Sequence, residues 1–245
     1  MDSFNVYEDA ERAAAYARVE FPGTYYLAFR DLPAVIRTHA RGTRAIDIGC
    51  GAGRSTRFLV RLGFPAVGVD IAANMLAEAR RIDPGGDYRW IGDGDLSAFG
   101  AGAFDVALAA FTFDNIPTRE RKIALFREIA RVLGPAGVLV NLVSSPDIYR
   151  HEWASFTTRD FPENAAARSG DTVRIVMKDA ADRRPVLDIL CTDEDYREIY
   201  RRSGLEVVLV HRPLARADEP YPWIDETRIA PWVIYVLAPL TRGEG

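Results

Sequence analysis

The chain has few of the residues that carry covalent or metal chemistry: two cysteines and three histidines in 245 residues. Cys50 and Cys191 lie far apart without metal or redox spacing, so two free thiols in a reducing compartment are expected. No apolar run approaches the length of a membrane span. The opening stretch "MDSFNVYEDAERAAAY" places acids where a signal peptide needs a basic and then an apolar segment, which predicts a cytoplasmic protein. Basic residues never run longer than pairs such as Arg80-Arg81, and the net charge is -4 with a pI near 5.5. That balance argues against a nucleic-acid groove and for a small or neutral partner. Repeats and low-complexity stretches are also missing.

What is present is ordinary for a globular protein, 48% apolar and 27% charged. Between residues 44 and 143 the apolar runs "RAIDI", "AVGVD", "YRWIGD", "FDVALA" and "GVLVNLV" alternate with helix-like stretches, the rhythm of a parallel sheet. The clearest helix starts at Thr118, repeats Ile123, Phe126, Ala130 and Leu133 on one face, and is expected to stop at Gly134-Pro135. Residues 1–40 read as helical and rich in aromatics. Between Pro146 and Asp193 the alternation breaks: "TVRIVM" and "PVLDILC" flank a turn-like "KDAADRR" as a hairpin within an insertion. An N-capped helix, "TDEDYREIYRRSG", and two strands, "LEVVLV" and "WVIYVLA", close the chain. Their close spacing predicts an antiparallel edge on the parallel sheet.

The stretch "AIDIGCGAGRST" runs a strand into an acid and three glycines before a helix. Bare backbone beside a helix N-terminus lets a ligand approach free N–H groups. The dinucleotide fingerprint G-x-G-x-x-G fails here. Counted from Gly49 its third slot holds Arg54, and counted from Gly51 it holds Thr56, so a nicotinamide oxidoreductase is disfavoured. Asp70 ends the next strand, where a carboxylate can accept both hydroxyl protons of a ribose diol. Asp93 in "GDGD" is placed at the end of the third strand, where it can accept from an exocyclic adenine amine. "FTFDNIP" forms a polar-aromatic corner at the carboxyl edge of the sheet.

These four elements in this order resemble the class I S-adenosylmethionine-dependent methyltransferases, across residues 42–145 and again in the closing strands. The resemblance implies a Rossmann-like α/β fold with a seven-stranded, mostly parallel sheet and an antiparallel edge strand, all in one domain. Residues 1–40 would form a helical lid, 42–145 the cofactor-binding core, 146–192 a substrate cap with its hairpin, and 193–240 the closing helix and strands. Gly49, Gly51 and Gly53 would lie against the methionine part of S-adenosylmethionine, with Asp47 towards the same end. Asp70 would hold the ribose, Asp93 and Gly94 the adenine, and Ile71 and Phe111 would flank the adenine and the sulfonium. Tyr7 and Tyr16 match aromatic positions near the cofactor carboxylate, though plain helix packing explains them equally well.

Where many relatives carry a His pair, this chain has Asp114 and Asn115, side chains expected to face the transferred methyl. Asp114 can accept a proton from a nucleophile and Asn115 can pair with a ring N–H; the alternatives are a cap for Asp114 and a backbone brace for Asn115. His151, with Trp153 and Phe156, would roof an acceptor pocket, and Trp223 would close its far side or simply pack. His39 and His211 read as structural. An Asp-Asn metal site is disfavoured because partner acids are not clustered around it, so no metal is expected. The chain is also similar to bacterial secondary-metabolite methyltransferases, including the azapteridine N-methyltransferases of toxoflavin biosynthesis. That similarity implies N-methylation of a small flat heteroaromatic. O-methylation of a phenol or sugar, and a non-catalytic cofactor-binding regulator, stay open.

Overall fold

The computed structural model describes residues 23–179 and 183–240. Tyr7 and Tyr16 therefore lie outside the described residues, as does most of the expected lid. The chain enters through two short helices, α1 (Thr24–Arg30) and α2 (Leu32–His39). Leu32, Val35 and Ile36 fall on one face of α2 and are buried. The sheet core follows as β1 (Ala45–Ile48), α3 (Arg54–Arg61), β2 (Ala66–Asp70), α4 (Ala73–Ile82), β3 (Asp87–Trp90), β4 (Phe104–Ala110), α5 (Arg119–Val132) and β5 (Leu133–Ser144). Next come β6 (Phe156–Thr157), β7 (Thr172–Met177) and β8 (Val186–Ile189), then α6 (Asp193–Arg202), β9 (Leu205–His211) and β10 (Trp232–Pro239).

Seven strands form one sheet in the order β3-β2-β1-β4-β5-β10-β9. The first five run parallel, and β10 is antiparallel to both of its neighbours. The antiparallel strand thus sits at the predicted end of the sheet, one place in from the rim, with β9 outside it. The sheet is buried on both faces because alternate residues of each strand feed different cores. On β4, Val106 and Leu108 join α1, α2 and α3 on one face, while Ala107 and Ala109 join Phe126 of α5 and Tyr200 of α6 on the other.

Two helices start where their capping residues require. Thr118 accepts a hydrogen bond from the Arg121 N–H at 3.2 Å and starts α5. Thr192 does the same for Asp195 at 3.3 Å at the head of α6, and Gly204 leaves α6 at φ 75°. The expected stop of α5 at Gly134-Pro135 is displaced: Leu133 is already extended, so the chain passes straight from helix into β5 and both residues belong to the strand. Asp93 is also displaced. β3 ends at Trp90, leaving Asp93 in the loop beyond it.

The insertion after β5 is a three-stranded sheet, β6-β7-β8, of which β7 and β8 are the predicted hairpin. Val173, Ile175, Met177 and Phe156 bury it against the α1 face of the main sheet. One buried carboxylate ties this insertion to its surroundings. Glu226, in the long β9–β10 connection, accepts from the Thr24 hydroxyl (2.7 Å), the Ala154 N–H (2.7 Å) and the Ile224 N–H (2.8 Å). The start of α1, the approach to β6 and the connection itself are thereby held to one side chain. Among the described residues no helix is long and apolar enough to cross a membrane, and both cysteines are buried and free.

Candidate active site

The turn from β1 to α3 places Gly49, Gly51 and Gly53 at φ 68°, 53° and 78°. Side chains rarely tolerate this left-handed region, and the space is closed as well. A Cβ on Gly49 would stand 2.5 Å from the Thr112 side chain, and one on Gly53 would stand 2.5 Å from the Tyr88 hydroxyl. Gly49→Ala is therefore expected to lose at least about 1 to 2 kcal/mol of stability, read as a lower urea midpoint at unchanged slope. A variant as stable as the parent would show that the turn relaxes freely.

Asp47, one residue before the end of β1, is fully buried. The Ser55 and Thr56 hydroxyls both donate to its Oδ2 at 2.6 Å, whereas Oδ1 has no partner among the described residues. Desolvation outweighs those two bonds and pushes the carboxyl up to about 6. Asp70, at the end of β2, accepts from the Gly51 N–H and the Ala72 N–H, each at 2.8 Å, one on each oxygen. Burial also raises its pKa. Ile71 beside it is exposed, and its carbonyl accepts from the indole N–H of exposed Trp90 at 3.0 Å. Asp93 and Gly94 lie further out, with Asp93 exposed and 3.3 Å from the Arg121 guanidinium.

Phe111 is the one non-glycine residue at positive φ, 63°, among the described residues. It marks where β4 gives way to a tight helical turn, Thr112–Asp114. The Thr112 hydroxyl donates to the Ile48 carbonyl at 2.6 Å, and the Asn115 side-chain amide donates to the Phe111 carbonyl at 3.1 Å. Asn115 therefore braces the corner through its nitrogen. Asp114 turns inward, 4% exposed, and accepts from the Ser144 N–H at 3.0 Å. Desolvation pushes its carboxyl up to about 6.

Asp114, Asn115 and Phe111 meet in a pocket of about 410 Å³, counting its open mouth. Aromatic residues Tyr25, Phe156 and Trp232 join Phe111 in its wall. The Phe111 ring lies 4.8 Å from Trp232 and 5.7 Å from Tyr25, centre to centre. The polar lining comprises Asp114, Asn115, Ser144, Tyr149 and Asp188. The Tyr149 hydroxyl donates to Asp188 at 2.9 Å.

Of the four residues expected to roof or close this pocket, Phe156 alone lines it. Trp153 is fully buried in the core, its indole N–H committed to the Ile148 carbonyl at 2.8 Å. His151 turns away to stand 3.9 Å from Asp225. Trp223 donates to the Arg216 carbonyl and packs on Tyr221, its centroid 5.0 Å away. Tyr25, Tyr149, Asp188 and Trp232 are among the lining positions missed in sequence. Asp188 carried a signal, as the one charge inside the apolar run "PVLDILC".

Sheet order and glycine turn together make a Rossmann-like fold. A family model described as "Methyltransferase domain" matches residues 46–141. The chain also resembles the ubiquinone biosynthesis O-methyltransferase of Xanthomonas axonopodis pv. citri, 32% identical over 107 residues, 42% of this chain and 44% of the relative. The protein of the same name from Xanthomonas campestris pv. campestris is 30% identical over 102 residues, 40% of this chain and 41% of the relative. The chain thus spans less than half the length of these curated relatives. Solved structures match more broadly. The CcbJ methyltransferase of Streptomyces caelestis aligns over 90% of this chain and 100% of its own, with a TM-score of 0.61 at 18% identity. An S-adenosylmethionine-dependent methyltransferase of Methanosarcina mazei aligns over 84% and 97%, with a TM-score of 0.61 at 15% identity.

Proposed function

We propose that the protein transfers a methyl group from S-adenosylmethionine to a nitrogen of a small heteroaromatic acceptor, with azapteridines of the toxoflavin type as the first acceptors to test. One observation carries the reading. The five-residue corner 111–115 touches both halves of a transfer site: Thr112 packs against Gly49 of the glycine turn, while Asp114 and Asn115 line the pocket.

The residues present fit the cofactor. The glycine turn is a backbone cradle that a Cβ would fill, and the unpartnered Oδ1 of Asp47 suits an ammonium group. Asp70 keeps lone pairs for a diol after taking two N–H bonds. Gly49, Gly51 and Gly53 would hold the methionine part, Asp70 the ribose, Ile71, Asp93 and Gly94 the adenine, and Phe111 the sulfonium side. Asp93 would leave only an exposed ion pair, a small cost. When bound, the cofactor supplies an electrophilic methyl on a positive sulfur, which leaves as a neutral thioether. The chain's part is to align the acceptor and exclude water, with the aromatic wall holding a flat ring and Asp114 taking the proton that nitrogen sheds.

O-methylation of a phenol is the second reading, favoured by the names of the curated relatives. A phenol would give its proton to the same carboxylate. Calorimetric titration with S-adenosylmethionine and its demethylated product, followed by a methyl-release assay on azapteridines and phenols, separates these readings from each other and from a regulator that binds without turnover. Failure of a folded sample to bind either compound would overturn the methyltransferase reading. For the base role the sign is definite: Asp114 accepts a proton only when ionised, so kcat is expected to fall as pH drops through about 6. A flat profile from pH 5 to 7 would remove Asp114 as the base.

A further inference from the structure

Resting on that reading, we infer that Lys122 is a positioning residue for the transfer: from α5 it clamps the corner that carries Asp114, and its charge keeps that carboxylate ionised to receive the acceptor's proton. The sequence uses lysine sparingly. Lys122 and Lys178 are its two lysines among 31 basic residues. Lys122 interrupts the apolar face of α5 and is 2% exposed. A charge is costly to bury unless polar groups compensate it, and lysine brings that charge as a compact point rather than a planar fork.

The compensation is aimed at the corner. The Lys122 ammonium donates to the carbonyl of Phe113, the residue before Asp114. Phe126, one turn along the same helix face, stacks on the Phe113 ring, 3.7 Å centre to centre with the planes 3° apart. One turn of α5 thus grips Phe113 by main chain and side chain, which sets where Asp114 enters the pocket. Asp114 is faced by Lys122 on α5, Tyr149 after β5, Asp188 on β8, Cys191 just beyond it and Tyr196 on α6. Burial raises the pKa of both tyrosines and the cysteine, which keeps them neutral, so Lys122 is the cation of this set. Burial lowers the pKa of Lys122 itself, while Cys191, Asp114 and Asp188 raise it. A positive charge in this weakly screened interior favours the ionised carboxylate, and its removal would raise the pKa of Asp114 further.

Lys122→Met tests this, because it removes the charge and keeps the length of the side chain. The acid limb of kcat, set in the parent at about pH 6, is expected to move to higher pH. At pH 6 kcat should fall, relative to its plateau, at least about twofold below the parent's, while S-adenosylhomocysteine affinity by calorimetry is retained. An unmoved limb would overturn the inference, since a residue that only packs would leave it in place. The unaltered protein supplies a second reading that does not depend on the variant folding. With isotope-labelled lysine incorporated, two side-chain resonances are expected, and that of Lys122 should be an ammonium signal that shifts as pH crosses about 6. Asp114→Asn should abolish the step. A neutral amine, a signal indifferent to pH, or a step that survives Asp114→Asn would each overturn the inference. A flat kcat profile in the parent would instead count against Asp114 as the base, and failure to bind S-adenosylhomocysteine against the methyltransferase reading; the lysine resonance needs neither turnover nor cofactor.

Discussion

Asp70→Ala is expected to weaken S-adenosylmethionine binding by about 1 to 3 kcal/mol, a loss of roughly fivefold to 150-fold. Under the proposed function this carboxylate would accept the diol protons, and the structure adds a second reason. Its two oxygens hold the Gly51 and Ala72 N–H groups, so the same side chain fixes the glycine turn against the end of β2. Alanine would remove the ligand contact and loosen the cradle together. Asp70→Asn should also bind more weakly, because its amide nitrogen would confront one of those backbone donors. Calorimetry with Asp70→Ala is the check, and affinity equal to the parent's would remove Asp70 from the cofactor site.

Glu226→Ala should produce the largest loss of stability, about 3 to 5 kcal/mol, out of the roughly 5 to 15 kcal/mol that holds a typical domain folded. Three donors converge on this fully buried carboxylate: the Thr24 hydroxyl, the Ala154 N–H and the Ile224 N–H. Alanine would strand all three, and each stranded donor costs about 1 kcal/mol or more. The pocket should feel the change too. Thr24 precedes Tyr25, and its carbonyl accepts from the Trp232 indole at 2.7 Å, so two aromatic walls depend on its position. Glu226→Gln keeps one acceptor oxygen and should lose less. Urea unfolding followed by fluorescence measures both; a loss below about 1 kcal/mol for the alanine variant would show that water replaces the carboxylate.

The sheet core was legible in sequence because its signals are local. An apolar run carrying Asp47 near its end, glycines that tolerate positive φ, and Thr118 or Thr192 ahead of a helix each act within a few residues of themselves. The pocket was less legible because its walls come from distant segments. Asp188 and Tyr149 meet across a strand and a loop, and periodicity cannot reveal that pairing. The "HEW" segment misled for a related reason: its rings sit in the right insertion, but Trp153 found a backbone acceptor in the core and His151 an acid outside the pocket. Phe111 was placed on the corner without any hint of its backbone, since positive φ is signalled by glycine and none is present there. Asp93 illustrates the limit of strand endings, as the chain left the sheet at Trp90 and carried the acid into a loop.

The position of β10 between β5 and β9 has a consequence for how the chain assembles during synthesis. β5 ends in a run of buried residues, and the partner for its free side is Trp232–Pro239, the last strand of the sheet. Until those residues leave the ribosome, β5 presents an unpaired apolar edge, and β9, already made, has nothing to join. The sheet is therefore completed from its middle by late-arriving residues. Such long-range closure is slow, and it leaves the nascent protein dependent on protection from its neighbours until the final strand slots into place.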